Sequence, residues 1–314
     1  MSTPFSLELP AGVRRTTIRT TRGAFAALEA VPASGVCERD AALLVPGYTG
    51  SKEDFIAILD LLADRSRQVV AIDMRGQFET EGAREPGGYA PAALGADILA
   101  VMNETGARHL VGHSYGGLIG RETVLAEPDA GFASFTLMSS GPAALTGPRA
   151  GELRAMLTAL GVEETLDDAS LPEADVLRAG IADVWRVHLE PQVVAAGIPA
   201  PIVAFLGRRM LANDPAGLIL MARHMLAAPD RTAELARLDL PMLVIYGEDD
   251  NAWSPAAQEA MARRLGARRF CIPAAMHSPA VEAPATTASA LTQFWDAAEA
   301  TPPADHRVAI SRTA

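Results

Sequence analysis

The residues of this chain best suited to chemistry gather around one serine. In LVGHSYGG, Leu110 to Gly117, Ser114 stands two positions from a glycine on either side. An apolar run ends at His113 and a helical pattern opens at Tyr115, so the serine occupies the corner of a strand-to-helix turn. A corner that tight drives its central residue toward positive φ. Side chains two positions before and after it would collide with neighbouring backbone, which is why Gly112 and Gly116 are needed. The turn lifts the Ser114 hydroxyl above the carboxyl end of a sheet, at a helix N-terminus whose free N–H groups favour developing negative charge. That is a nucleophile's position.

A serine hydroxyl is a weak nucleophile at neutral pH, so a base must take its proton and a third group must orient that base. Of the six histidines, His109 and His113 belong to the strand entering the turn. His113, adjacent to Ser114, is expected to point to the opposite face. His188 and His224 lie in a helical region and His306 in the C-terminal tail, which leaves His277 in RRFCIPAAMHSPAVEAP. It follows the apolar run Phe270 to Ile272, read as the last strand, and so reaches the same carboxyl edge as Ser114. For the third group, MLVIYG runs into GEDDNAWSP and offers Glu248, Asp249 and Asp250 at that edge. A second oxyanion donor is available in LLVPGYTGSKEDF, where Tyr48 N–H would join Tyr115 N–H.

These residues need a frame to hold them. Around Arg15 to Val31, β-branched residues flank Thr21, Arg22 and Gly23, as in two strands joined by a turn. Short apolar runs follow at Ala41 to Gly47, Gln68 to Asp73, Arg108 to His113, Phe135 to Ser140 and Met242 to Gly247, alternating with amphipathic segments such as Leu94, Ile98, Val101 and Met102. Buried strands alternating with helices predict an α/β fold, a parallel sheet covered on both sides. From Gly141 to about Asp239 the rhythm breaks into helical patterns alone, with Leu177, Ile181, Val184, Trp185 and His188 at helical spacing, and this region reads as an inserted lid. Met156, Met210, Met221 and Met225 fit either the core or an adaptable pocket. The expected organisation is a core of residues 1–141 and 240–300, a helical cap of 142–239 and a tail of 301–314.

Composition narrows the function classes. A share of 49% hydrophobic and 21% charged residues fits a folded globular chain. A net charge of -11 repels phosphate backbones and anionic lipid headgroups, which argues against nucleic acid or a membrane as partner. MSTPFSLELPAG has neither the basic start nor the apolar run of a secretion signal, so the expected location is cytoplasmic. Cys37 and Cys271 match no metal or redox spacing and are expected to be buried, reduced thiols.

With these segments assembled, the chain resembles the α/β-hydrolase family over about residues 12 to 299. PGYTGS, DMRG (Asp73 to Gly76), GHSYGG and GEDD with AMHSP look like that family's oxyanion loop, the turn after its fourth strand, its nucleophile elbow, and its acid and histidine loops. The resemblance implies an eight-stranded, mostly parallel sheet with a helical cap after the sixth strand. It also implies a triad at Ser114, Asp250 and His277 and oxyanion donors at Tyr48 and Tyr115. Family spacing is what favours Asp250 over Asp249. Two departures stand out: Pro46 replaces the histidine of the HG pair many members carry, and DMRGQFETEG lacks the usual second glycine.

A serine nucleophile excludes the aspartate-dependent branches that resemble epoxide hydrolases and haloalkane dehalogenases. The expected reaction is hydrolysis of a carboxylic ester or lactone with an apolar body through an acyl-enzyme, without metal or organic cofactor. Tyr48, Trp185 and Trp253 are candidate contacts for that small-molecule substrate, and the two tryptophans fit core packing equally well. Carbon–carbon bond hydrolases, thioesterases and perhydrolases would use the same three residues. A binding-only protein of this fold is the competitor from another class. Self-association into a homo-oligomer is left open.

Overall fold

The computed structural model describes residues 1–164 and 171–300; the expected tail at 301–314 lies outside the described residues. Eight strands form one sheet in the order β1-β2-β4-β3-β5-β6-β7-β8. β1 (Val13–Thr20) and β2 (Gly23–Ala30) pair antiparallel across a two-residue turn, with Thr20 opposite Gly23, and β2 also runs antiparallel to β4 (Val69–Ile72). β3 (Ala41–Val45), β5 (Ala107–His113), β6 (Ser134–Met138), β7 (Met242–Gly247) and β8 (Arg268–Ile272) complete a parallel array with β4. This is the α/β-hydrolase sheet, with the hairpin at one edge.

Strand alternation divides the interior into two cores. Leu43, Val45, Val70, Ile72, Leu110 and Phe135 pack with α2 (Pro91–Thr105) and α3 (Tyr115–Ala126). Ala42, Leu44, Val69, Ala71 and Ile245 face α1 (Ile56–Ala63) and the C-terminal helix, whose Leu291, Phe294 and Trp295 are buried. β3, β4, β6 and β7 are buried almost throughout, as expected of central parallel strands that read as unbroken apolar runs. β8 is an edge strand, exposed at Arg268 to Cys271 and buried only at Ile272. That corrects the expectation for the cysteines: Cys271 lies on this exposed edge, and Cys37 in an exposed loop is also free.

Between β6 and β7 the described residues form helices and no strand. They are α4 (Gly147–Ala159), α5 (Ala174–Val184), a π turn at Trp185–Leu189, α6 (Glu190–Ala195), α7 (Ala200–Ala212), α8 (Pro215–Ala227) and α9 (Thr232–Leu235). Their inward side chains, among them Leu157, Ile181, Leu206 and Leu218, continue the core on the α2–α3 side of the sheet. The first residues of this region are pinned to the loop after β7. Trp253 Nε1 donates to Ala143 O at 3.1 Å, and the Trp253 ring fills the space a side chain at Gly141 would need. α10 (Pro255–Leu265), α11 (Pro279–Glu282) and α12 (Pro284–Ala300) complete the chain.

Candidate active site

Four loops meet above the carboxyl ends of β3, β5, β7 and β8. Ser114 sits between β5 and α3 with φ 55° and ψ −119°, a conformation costly for an L-residue and held by its surroundings. Its N–H donates to Met138 O at 2.8 Å, and its carbonyl accepts from Gly117 N at 2.9 Å. The flanking glycines have separate steric reasons. A β-carbon on Gly112 would overlap Gly116 O and lie 2.5 Å from Gly117 Cα, whereas one on Gly116 would overlap Pro46 O and lie 2.6 Å from Val45 O. Gly112 therefore lets the helix close on the strand, and Gly116 admits the loop after β3.

His277 lies between β8 and α11, half-buried, with Nε2 at 3.0 Å from Ser114 Oγ and Nδ1 at 2.9 Å from Asp250 Oδ1. Asp250 is buried, and its Oδ1 also accepts from Ala252 N at 2.9 Å while Oδ2 accepts from Gln258 Nε2 at 2.8 Å. Burial by itself would raise the Asp250 pKa. The hydrogen bond and charge of His277, with the Ala252 and Gln258 donors, outweigh burial and hold the carboxyl below its usual range. An ionised carboxylate only accepts, so Nδ1 of a neutral His277 carries the proton and Nε2 is free to accept from Ser114. Glu248 and Asp249 are exposed, and Asp249 donates its backbone N–H to Ala275 O at 2.9 Å.

His113 does not point away from the site. It lines the same cavity as Ser114, and its Nε2–H donates to His277 O at 2.7 Å. Strand alternation stops at the left-handed conformation of Ser114, so neighbours in sequence share a side here. Burial, and then the nearby His277 ring, push the His113 pKa down to about 3, so it stays a neutral donor that fixes the His277 backbone.

The loop after β3 stands over the serine: a β-carbon on Gly47 would lie 3.1 Å from Ser114 Cβ and 3.5 Å from Oγ. Among the described residues, neither Tyr48 N–H nor Tyr115 N–H has a hydrogen-bond partner, the latter because it opens α3. The Tyr48 hydroxyl donates to Leu218 O on α8 at 2.7 Å. Lys52, buried just beyond, places Nζ 2.8 Å from Asp73 Oδ2 and its N–H 2.8 Å from Oδ1, tying this loop to the turn after β4.

A cavity of about 650 Å³ opens over Ser114 and His277. Leu145, Leu153, Met156, Met210 and Met225 give it an apolar wall, and Arg149, Glu152 and Asn251 add a polar margin. Tyr48 and Trp253 line it. Trp185 does not: it turns onto α7, where a β-carbon on Gly207 would sit 3.0 Å from its ring, while the neighbouring Val184, His188 and Leu189 reach the cavity. Met221 is also buried away from it. Distant from this site, Asp40, His109 and Glu299 bring donor atoms within 4.8 Å of one another, but Arg108 and Arg67 already neutralise the two carboxylates.

Residues 42–290 match the Alpha/beta hydrolase family. The chain belongs to that family. A candidate carbamate hydrolase, RutD, of Variovorax paradoxus (strain S110) is 31% identical over 219 residues, covering 69% of this chain and 76% of that protein. Among solved structures, a thermophilic esterase from Thermogutta terrifontis superposes with TM-score 0.67 at 22% identity over 91% of this chain and 99% of that one. The enol-lactonase from Burkholderia xenovorans LB400 gives 0.65 at 17%, over 90% and 100%. At such identities the structural likeness speaks for the fold. Among the described residues, no helix is long and apolar enough to cross a membrane.

Proposed function

We propose that the protein is a serine hydrolase that cleaves a carboxylic ester or lactone through an acyl-enzyme. The observation that carries this reading is the unbroken series Asp250–His277–Ser114, at 2.9 and 3.0 Å, on the floor of a largely apolar cavity. Ser114 Oγ attacks the carbonyl carbon as His277 Nε2 takes its proton. Asp250 holds the ring and offsets the imidazolium charge, and Tyr48 N–H and Tyr115 N–H receive the oxyanion. The tetrahedral species expels the alkoxide, which leaves with the proton from His277. Water, deprotonated by the same nitrogen, then releases the acid and restores the serine. No step calls for a metal or an organic cofactor.

The described helices between β6 and β7 act in this reading as a cap that shields the reacting carbonyl from bulk water. Met156, Met210 and Met225, flexible and polarisable, suit an apolar acyl or alkyl body of modest size. A second reading, carbamate hydrolysis through a carbamoyl-serine, is favoured by the 31% identical relative. The test is labelling by a fluorophosphonate probe, lost in Ser114→Ala, followed by a panel of esters, lactones and carbamates read by product release. A wild-type chain that resists the probe and turns over none of the panel rejects the assignment. Turnover of carbamates alone selects the second reading.

A further inference from the structure

The turn after β4 holds a buried side chain that the reaction above leaves without a role. Gln77 is 1% exposed, and its backbone N–H closes the turn on Met74 O at 2.9 Å. Its Oε1 accepts from Met74 N at 3.2 Å, while Nε2 donates to Gly47 O at 2.9 Å and to Tyr48 O at 2.8 Å. The orientation of the amide is fixed by its partners: flipped, it would set its oxygen against two carbonyl oxygens and its NH₂ against an N–H.

We infer that Gln77 is a positioning residue that aims the Tyr48 amide at the oxyanion formed on Ser114. In a trans peptide the C=O and the N–H of one plane point in opposite directions. The Gly47 carbonyl and the Tyr48 N–H share a plane, so drawing Gly47 O onto Gln77 turns Tyr48 N–H the other way. The Gly47 α-carbon abuts Ser114, close enough that an added methyl would lie 3.5 Å from Oγ. The second bond, to Tyr48 O, fixes the next plane, so both peptides flanking Tyr48 are held. Gly47 and Gly50 give this loop wide conformational freedom, and Gly50 N–H on Gly47 O at 3.0 Å restrains only its first carbonyl. Among the described residues, Gln77 alone donates to Tyr48 O.

The inference rests on the serine-hydrolase reading and adds a residue to it. Gln77→Met keeps the length of the side chain and removes both donors. With a p-nitrophenyl ester, kcat is expected to fall about 10- to 100-fold, part of what loss of a whole oxyanion donor costs, with KM within about twofold. A trifluoromethyl ketone, which forms the tetrahedral adduct on Ser114, should weaken by the same factor as kcat. A folded Gln77→Met with wild-type kcat overturns the inference, and so does a loss of kcat with ketone affinity unchanged. Should Gln77→Met not fold, Gln77→Glu carries the test. Its ionised acid has no proton for either carbonyl and its protonated acid has one, so its kcat relative to wild type must rise as pH falls from 8 to 6, and a flat ratio overturns the proposal. Wild-type Ser114 that resists fluorophosphonate overturns both readings, whereas a labelled wild type with an indifferent Gln77 overturns this one alone.

Discussion

Replacing Asp250 by asparagine removes one charge and almost no volume, and the hydrogen bonds around it decide the outcome. Ala252 N–H, a backbone donor that cannot rotate, points at Oδ1 from 2.9 Å, so the new amide must place its oxygen there. That same oxygen faces His277 Nδ1, which keeps its proton and leaves Nε2 able to serve Ser114. On the other side, Gln258 Nε2 would meet an NH₂ in place of Oδ2. Gln258 can turn its Oε1, which has no partner among the described residues, toward the new donor only by giving up the 2.8 Å bond from Nε2 to Trp253 O, so the variant also loses a buried hydrogen bond. The tautomer survives and the charge does not. Two unit charges about 4 Å apart at an effective dielectric of 20 attract by about 4 kcal/mol, which stabilises the imidazolium of the transition state. Asp250→Asn should therefore lower kcat on a p-nitrophenyl ester by about 10³-fold with little change in KM. Asp249→Asn, exposed and without a side-chain contact to His277, should stay within about threefold of wild type. Urea unfolding of both variants checks that the loop is intact. A folded Asp250→Asn within tenfold of wild type, or equal losses in the two variants, refutes the reasoning.

Two further perturbations probe the frame. Gly116→Ala drives a methyl into the backbone of Val45 and Pro46, so unfolding should move to lower urea by about 2 kcal/mol or more and esterase turnover should fall at least tenfold as the loop over Ser114 is displaced; a variant equal to wild type in both measurements contradicts the steric account. His113 binds its proton only near pH 3 when folded, against about 6.5 in an unfolded chain, so between these values the unfolded state holds more protons and stability is lost as pH falls. From pH 7 to pH 5 this one group should cost the wild type about 2 kcal/mol that His113→Gln does not lose, and parallel pH profiles for the two proteins would exclude the linkage.

What could be read from the chain tracked the strength of its local constraints. The strands were legible because β3, β4, β6 and β7 are short apolar runs buried on both faces, and the turn at Ser114 because Gly112 answers a clash with Gly116 and Gly117 only a few positions on, whereas the clash that Gly116 avoids, with Val45 and Pro46, is set by tertiary packing. His277 was reached by elimination among six histidines, which a fold with more loops would not permit. The side of the sheet on which His113 falls was misread because one left-handed residue resets the alternation, and no pattern of residue types marks that reset. Trp185 was legible as a helical apolar position. Its partner Gly207 lies on another helix, and only the tertiary packing decides that the ring turns from the cavity.

Gln77 marks the limit of that legibility more sharply. It sits in the segment where the family pattern is broken, one residue past Gly76, and nothing in DMRGQFETEG announces a contact with Gly47 or Tyr48, roughly thirty positions earlier. The link exists because β3 and β4 are adjacent in the sheet, so the turns leaving them come to rest side by side. The same adjacency sets Lys52 on Asp73, binding the two turns by a buried ion pair as well as by the glutamine. On the opposite flank, the Tyr48 hydroxyl reaches α8. The loop after β3 is thus held from the turn after β4 on one side and from α8 on the other.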